Sequence, residues 1–495
     1  MSKLDNLPNL YIGFDLSTQQ LKLTVIEDTY QIVFEETVHF DKELPHYGTL
    51  NGVISNGETV ACPTLLWVES LDILLQKLKT KKFPFHKVRI ISGAGQQHGS
   101  IYWSHNAPFL LSSLDHSKPL VDQLKNAFSV QQSPTWQDSS TSEQCRELEK
   151  LIGGAEVLAN LTGSKAYERF TGNQIAKLVH KLLNICSCGA EGKLKEKLDE
   201  PEIDGLKILG NVHEYFVKKY GFSEDCKIIP FTGDNPATLI SFNIKPGNIV
   251  ISLGTSDTVL LYTSKPCPTS ESHTLCHPII PASYFSMLCY KNGSLTREHI
   301  RDIYTKDVTW ERFNNVLNSS KPIKSQIGFY FLFQEIVPFA KGIYKFDSNK
   351  LVKEFVDENY NVRAVIESQF LSMKLRIDKL LKDDDEKKEK IQRIIVVGGA
   401  SKNDQIVKIL ADVFGAQVWR NQGENSASMG AAIKARTAFL KRECKSIINS
   451  NYNEENFSLV AEPDFENTKI YDSMIENYQE LEKLVIQLSS TEKYI

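Results

Sequence analysis

Asn9-Leu10-Tyr11-Ile12-Gly13-Phe14-Asp15-Leu16-Ser17-Thr18-Gln19-Gln20-Leu21 carries a pattern that this chain uses twice. An apolar run ends in an acid, a short turn holds adjacent small hydroxyl residues, and a second apolar run continues to Glu27. That order reads as strand, tight turn, strand. It returns from Asn248 to Tyr262, where Gly254-Thr255-Ser256-Asp257 forms the turn. Two copies of one hairpin imply two domains of common descent. The break between them falls at Ile244-Lys245-Pro246-Gly247, giving residues 1–244 and 245–495.

Working outward, further apolar runs end in small polar turns. Val88 to Ser92 leads into Gly93-Ala94-Gly95-Gln96-Gln97-His98-Gly99, and Lys227 to Phe231 into Thr232-Gly233-Asp234-Asn235-Pro236. Arg393 to Val397 precedes Gly398-Gly399-Ala400-Ser401-Lys402-Asn403, which opens a helix through Ala411, and Ser428 to Arg436 reads as helical. Strands alternating with helices predict an α/β fold with mostly buried sheets. Lys379 to Lys390 is a mixed-charge run suited to a solvated helix end and loop, and the last forty residues read as helical packing.

The 495 residues are 41% hydrophobic and 24% charged, with a net charge of -4. That balance excludes a disordered chain, and it provides no long-range field for nucleic acid or an anionic membrane. No apolar run approaches the length of a membrane span. Asp5, Asn6 and Pro8 stand where a secretory signal needs an apolar core, so a cytoplasmic protein is expected. The nine cysteines are scattered and read as reduced structural residues, Cys186 and Cys188 included. His273, Cys276 and His277 form a compact donor set without a second ligand pair, so no metal site is expected there.

The turns suggest phosphate chemistry. Small residues in a tight turn leave backbone N–H groups outward, a geometry that cradles phosphate oxygens. Two such turns facing each other would hold the β- and γ-phosphates of one nucleotide, with Asp15 placed to hold magnesium through water. Either hairpin alone reads equally as an ordinary Ser/Thr-favoured turn. Gly398-Gly399 after a strand allows close approach of a flat adenine and ribose, although glycine serves any tight turn. The chain lacks the P-loop, dinucleotide-binding and G-x-S-x-G patterns. Asp234, just past an apolar strand, is suited to accept a hydroxyl proton during attack on phosphorus. Its plain alternative is a turn aspartate.

Together these segments resemble the FGGY carbohydrate kinases of the actin-like ATPase superfamily. The likeness rests on Gly13 to Gln20, Ser92 to Gly99, Tyr167-Glu168-Arg169-Phe170-Thr171-Gly172-Asn173-Gln174, Thr232 to Ala237, Ser252 to Thr258 and Gly398 to Asn403. They stand in the family's order across most of the chain. The resemblance implies two ribonuclease-H-like domains around a central cleft, with ATP and magnesium on one side and a ketopentose deeper in. It implies phosphorylation of D-xylulose to D-xylulose 5-phosphate, with Asp234 as general base for the 5-hydroxyl. His98, Arg169, Asp234 and Asn235 match the sugar-holding positions. Gly398, Gly399 and Asn403 match the adenosine-binding turn, and Trp310, in Trp-x-x-Phe ending at Phe313, matches a tryptophan near the nucleotide. Asp15, Thr18 and Gly254-Thr255-Ser256 match the phosphate and magnesium side. Another ketose or polyol, or a non-catalytic sugar- or nucleotide-binding relative, stands as the alternative. One departure favours the latter: only residues 170–233 separate the Arg169 motif from Asp234, several dozen fewer than the family carries, and the join between Lys177 and Asn184 is abrupt.

Overall fold

The computed structural model describes residues 8–183, 204–381, 391–421, 423, 425–443 and 457–491. Two seven-stranded sheets dominate it. In the first, β1 (Leu10–Leu16) pairs antiparallel with β2 (Gln20–Glu27), and β2 with β3 (Ile32–His39). On its other side β1 runs parallel to β4 (Val88–Gly95). Short strands β5 (Gly210–Asn211), β6 (Lys227–Ile228) and β7 (Thr232–Gly233) complete it, with β6 and β7 both parallel to β4.

The second sheet repeats this plan. Antiparallel β8 (Asn248–Leu253) and β9 (Asp257–Thr263) form the central hairpin. Strand β10 (His273–Cys276) pairs with β11 (Tyr284–Tyr290), which pairs with β9. Beyond β8 come parallel β12 (Arg393–Val397) and β13 (Gln417–Asn421), then antiparallel β14 (Phe457–Ala461). The strand orders β3-β2-β1-β4-β6 and β11-β9-β8-β12-β13 are therefore equivalent. Strands β1 and β8 are buried along nearly their whole length, as a strand flanked on both sides and covered on both faces must be.

Helix α1 (Thr64–Thr80) packs on one face of the first sheet through Leu66, Leu74, Leu75 and Leu78. Helix α2 (Thr171–Leu183) follows the Arg169 motif, and helix α3 (Asp234–Ser241) starts directly from β7. The 3-10 turn Gly399–Lys402 leads into a helix that starts at Asp404 and runs past Ala411 to Phe414. Residues 382–390 of the mixed-charge run, Cys186 and Cys188, and residue 184 at the far end of the 177–184 join lie outside the described residues. Helix Tyr360–Leu380 is buried on almost every side. Its charges are paired accordingly: Arg363 with Glu367 at 2.7 Å and Arg376 with Glu482 at 2.7 Å, the latter on the terminal helix Phe465–Thr491.

Helix Ser426–Arg442, small-residue rich as the sequence indicates, crosses from the second half and lies on the first sheet. A Cβ on Gly13 of β1 would stand 2.0 Å from Ser428 O, and one on Gly430 would stand 1.8 Å from Ala237 O of α3. Only glycine permits backbone contact this close. The seam is closed by Ala94, Ala237, Ala427 and Ala431, and by a buried Thr24–Ser428 hydroxyl pair at 2.7 Å. Replacing Gly430 with valine forces the two helices apart and is expected to cost about 2 kcal/mol or more. Urea unfolding measures it, with an unchanged midpoint counting against the close approach.

Candidate active site

The sugar-side residues come from three loops of the first half. Asp234 is the first residue of α3, behind Gly233. It is held there because β7 pairs with Ala94 and Gly95 of β4, which brings the Gln96-Gln97-His98 turn alongside. Asp234 Oδ1 accepts from its neighbour Asn235 N at 2.9 Å, from Asn235 Nδ2 at 3.2 Å and from Gln97 N at 3.4 Å. Asn235 Nδ2 also reaches Gln97 Oε1 at 3.4 Å. Burial, then the charge of Asp15, push the Asp234 carboxyl up to about 6, against the pull of those backbone bonds. A carboxylate with this pKa is ionised at neutral pH and basic enough to take a hydroxyl proton.

His98 sits in the left-handed region at φ 73°, a conformation a non-glycine residue holds only when its surroundings impose it. Its ring stacks on Phe170 at 4.6 Å, and burial with the nearby Arg169 lowers it to about 3, so the imidazole is neutral. His98 Nε2 and both side-chain polar atoms of Gln96 are buried without a partner. Among the described residues these atoms have no partner, and a ligand hydroxyl could hydrogen-bond to them. A cavity of about 460 Å³ opens beside them, lined among others by Phe14, Trp67, Gln97, Phe231 and Gly233.

Arg169 stacks on Tyr167 at 4.5 Å. The rest of its motif builds the loop: Asn173 Nδ2 donates to Tyr167 O at 2.8 Å. Gln174 Nε2 donates to Glu168 O at 3.1 Å and to the buried Asp138 Oδ1 at 2.7 Å. Cys289 of β11 feels the charges of both Arg169 and Asp234, which puts a strand of the second sheet against the sugar side.

On the side expected to hold phosphate, Asp15, the penultimate residue of β1, is almost fully buried. Ser17 Oγ donates to its Oδ2 at 2.6 Å, whereas Oδ1 has no partner. Burial raises its pKa despite Ser17 and Lys22. An orphaned carboxylate oxygen in a desolvated position fits a bound magnesium ion with its waters. Thr18 accepts from Trp136 Nε1 at 2.9 Å.

The second hairpin's turn leaves Thr255 and Ser256 exposed. Beneath it lies a bond set that the sequence pattern did not reveal. Arg297, fully buried, donates to Asp257 Oδ2 at 2.8 Å and Oδ1 at 3.1 Å, and to Gly254 O at 3.2 Å. Asp257 Oδ1 in turn accepts from Gly254 N at 3.1 Å. Arg297 stands forty residues away in sequence, with no local signal of the pairing.

At the turn expected to bind adenosine, no described atom lies within 4 Å of a Cβ on Gly399, whereas one on Gly398 (φ 86°) would stand 2.6 Å from Leu253 O. Asn403 caps the helix from Asp404 by accepting from Gln405 N and Ile406 N, and its Nδ2 donates to Asn314 Oδ1 at 2.7 Å. Trp310 precedes the helix Glu311–Ser319 that carries Asn314, with Arg301 over its ring at 4.7 Å and Phe313 edge-on at 5.0 Å. Among the described residues no group of three or more His, Cys, Asp and Glu side chains is placed to hold one metal ion. His277 Nδ1 instead accepts from Ile279 N and Ile280 N.

Residues 249–439 match the C-terminal domain of the FGGY family of carbohydrate kinases. Xylulose kinase from Mus musculus is 36% identical over 524 aligned positions, covering 96% of this chain and 94% of that protein. Xylulose kinase from Saccharomyces cerevisiae is 36% identical over 590 positions, covering 98% of each. Xylulose kinase 2 from Arabidopsis thaliana is 38% identical, covering 87% and 88%. The first two alignments are longer than the 495-residue chain, so both open gaps in it.

Among solved structures, a ligand-bound xylulose kinase from Lactobacillus acidophilus shares the fold with TM-score 0.75 and 17% identity, covering 98% of this chain and 99% of that one. Glycerol kinase from Plasmodium falciparum with ADP gives 0.70 and 14%, covering 96% and 98%. The chain belongs to the FGGY family of carbohydrate kinases and has the two ribonuclease-H-like domains of that fold. It is a carbohydrate kinase.

No helix among the described residues is long and apolar enough to cross a membrane. Replacing Arg297 with methionine leaves Asp257 buried and unpaired, with an expected cost of about 3–5 kcal/mol. It also loosens the Gly254 turn. Denaturant unfolding together with nucleotide affinity checks both effects, and a variant of parental stability would show the pair to be dispensable.

Proposed function

We propose that this protein transfers the γ-phosphoryl group of ATP to the 5-hydroxyl of D-xylulose, with Asp234 as general base. The observation that carries this reading is Asp234 at the head of α3, with its pKa raised to about 6, beside the unpartnered Gln96 and His98 groups. Support for xylulose comes from relatives bearing that activity in their names across nearly the whole chain. Residues 1–244 supply the acceptor side and 245–495 the nucleotide side.

His98, Arg169 and Asn235 bind sugar oxygens. The neutral imidazole and the amide offer both donor and acceptor, and the guanidinium offers donors. Asp234 takes the hydroxyl proton as oxygen attacks phosphorus, so that no discrete alkoxide is needed. Backbone N–H groups around Thr18 and Gly254-Thr255-Ser256 hold the phosphates, and Trp310, Gly398, Gly399 and Asn403 hold the adenosine. Asp15 would hold magnesium through water, and the ion supplies charge neutralisation on the transferring phosphates when bound. Closure of the domains over both ligands excludes water as a competing acceptor.

A second reading, a binding protein without turnover, is favoured by one observation. Only residues 170–233 separate the Arg169 motif from Asp234, and the alignments with the mouse and yeast kinases both open gaps in this chain. ADP release measured across a panel of ketopentoses and polyols decides between them. Turnover with xylulose is expected. Sugar-independent ATP hydrolysis sinks the kinase reading, and binding without turnover supports the second.

Asp234→Asn is expected to lower kcat by at least about a thousandfold while leaving sugar affinity within a few fold. The raised pKa means that ionising Asp234 opposes folding, since the native state holds the proton more tightly than the unfolded chain between about pH 4 and 6. At pH 7 the asparagine variant should therefore unfold no earlier than the parent. Because only the ionised form is a base, kcat/KM for the sugar should fall about tenfold per unit below about pH 6 and level off above it. Metal at Asp15 removes part of the repulsion and shifts this limb downward. A profile flat to pH 4.5, or an asparagine variant with parental turnover, removes Asp234 from the mechanism.

A further inference from the structure

The sugar-side arginine is held by a histidine from the other half of the chain. Arg169 Nη2 lies 2.8 Å from His273 Nε2, and His273 Nδ1 lies 2.7 Å from Ser164 Oγ. A guanidinium has donors and no acceptor, so Nε2 must be the acceptor. The ring proton then sits on Nδ1 and is donated to Ser164. An imidazolium would have no lone pair for Arg169, so the contact requires the neutral ring. The surroundings enforce that state: burial first, then the charges of Arg169, His98 and Lys165, hold His273 well below the usual histidine range.

The contact is built on both sides. His273 is almost fully buried, with Tyr167 and Phe170 at 4.7 and 5.7 Å from its ring. Strand β10, which carries it at the edge of the second sheet, is tied by backbone to the arginine loop. Thr274 N donates to Gly163 O at 2.7 Å, and a Cβ on Gly163 (φ 87°) would stand 2.3 Å from Thr274 O. The same loop turns back through Ser164 to receive the Nδ1 proton. A single side chain of the second half thus receives one bond from Arg169 and returns one to the arginine's own loop.

We propose that His273 is a positioning residue for the sugar: by accepting one Nη2 hydrogen bond across the two halves, it fixes the Arg169 guanidinium and leaves its other N–H groups for sugar oxygens. This rests on the reading of Arg169 as a sugar ligand. A side chain that orients a ligand-binding group is felt in affinity for that ligand more than in the chemical step.

The test uses the full-length protein and D-xylulose, with equilibrium sugar binding, KM and kcat measured for His273→Phe, His273→Gln, His273→Asn and Arg169→Ala. His273→Phe keeps the ring and loses the acceptor. It should raise the sugar Kd and KM about tenfold while kcat and the KM for ATP stay within about twofold. The glutamine amide oxygen reaches the Nε2 position and should restore most of the affinity, whereas the shorter asparagine should not. If His273→Phe does not fold, the glutamine and asparagine pair carries the same comparison. Equal affinity in that pair, or a phenylalanine variant with parental sugar KM beside a weakened Arg169→Ala, overturns the role of His273. Unchanged affinity in Arg169→Ala overturns the sugar-site reading itself, and the proposal with it.

Discussion

Backbone contact between helix Ser426–Arg442 and the first sheet is the constraint from which the rest follows. Gly13 and Gly430 allow the helix to rest directly on β1 and on α3, with Ala94, Ala237, Ala427 and Ala431 beside the contact. Helix α3 begins at Asp234, so the seam that joins the halves also fixes where the proposed base stands. Asp15 is the penultimate residue of β1, and the same contact therefore helps to set the distance between the two carboxylates whose repulsion contributes to the raised pKa of Asp234. Small residues are required because a side chain at either position would displace both elements together.

Electrostatics in the site follow from this geometry. Two acids stand in a desolvated region, each with bonds that partly offset the cost of burial. The two histidines nearby, His98 and His273, are held neutral, so neither adds charge beside Arg169. Under the phosphate-side turn, by contrast, charge is fully paired: Asp257 and Arg297 are buried together and lock Gly254. Exposed residues of that turn are left free to meet a ligand while the bonds below it stay dry.

Much of this was legible from local pattern. The strand–turn–strand repeat appears in both sheets with equivalent strand order, because alternating apolar runs and tight turns are short-range properties. The helix that starts at Asp404 runs to Phe414, three residues beyond the expected Ala411, since helix boundaries are weakly marked in sequence. His273 was noticed only as a candidate metal ligand. Its partners, Ser164 and Arg169, lie more than a hundred residues away, and nothing in its neighbourhood announces them. Arg297 escaped notice for the same reason. In the Arg169 motif, Asn173 and Gln174 prove to brace the loop.

By itself the sequence determined the class of fold, the duplicated hairpin and the turns that carry Asp15, Asp234 and Gly398-Gly399, since each depends on residues adjacent in the chain. Tertiary structure alone decided that the Gln97 turn lies beside Asp234, that a helix of the second half packs on the sheet of the first, and that a histidine from one half meets an arginine from the other. Those relations depend on backbone approach distances and on burial shared between distant segments, and no local pattern encodes either.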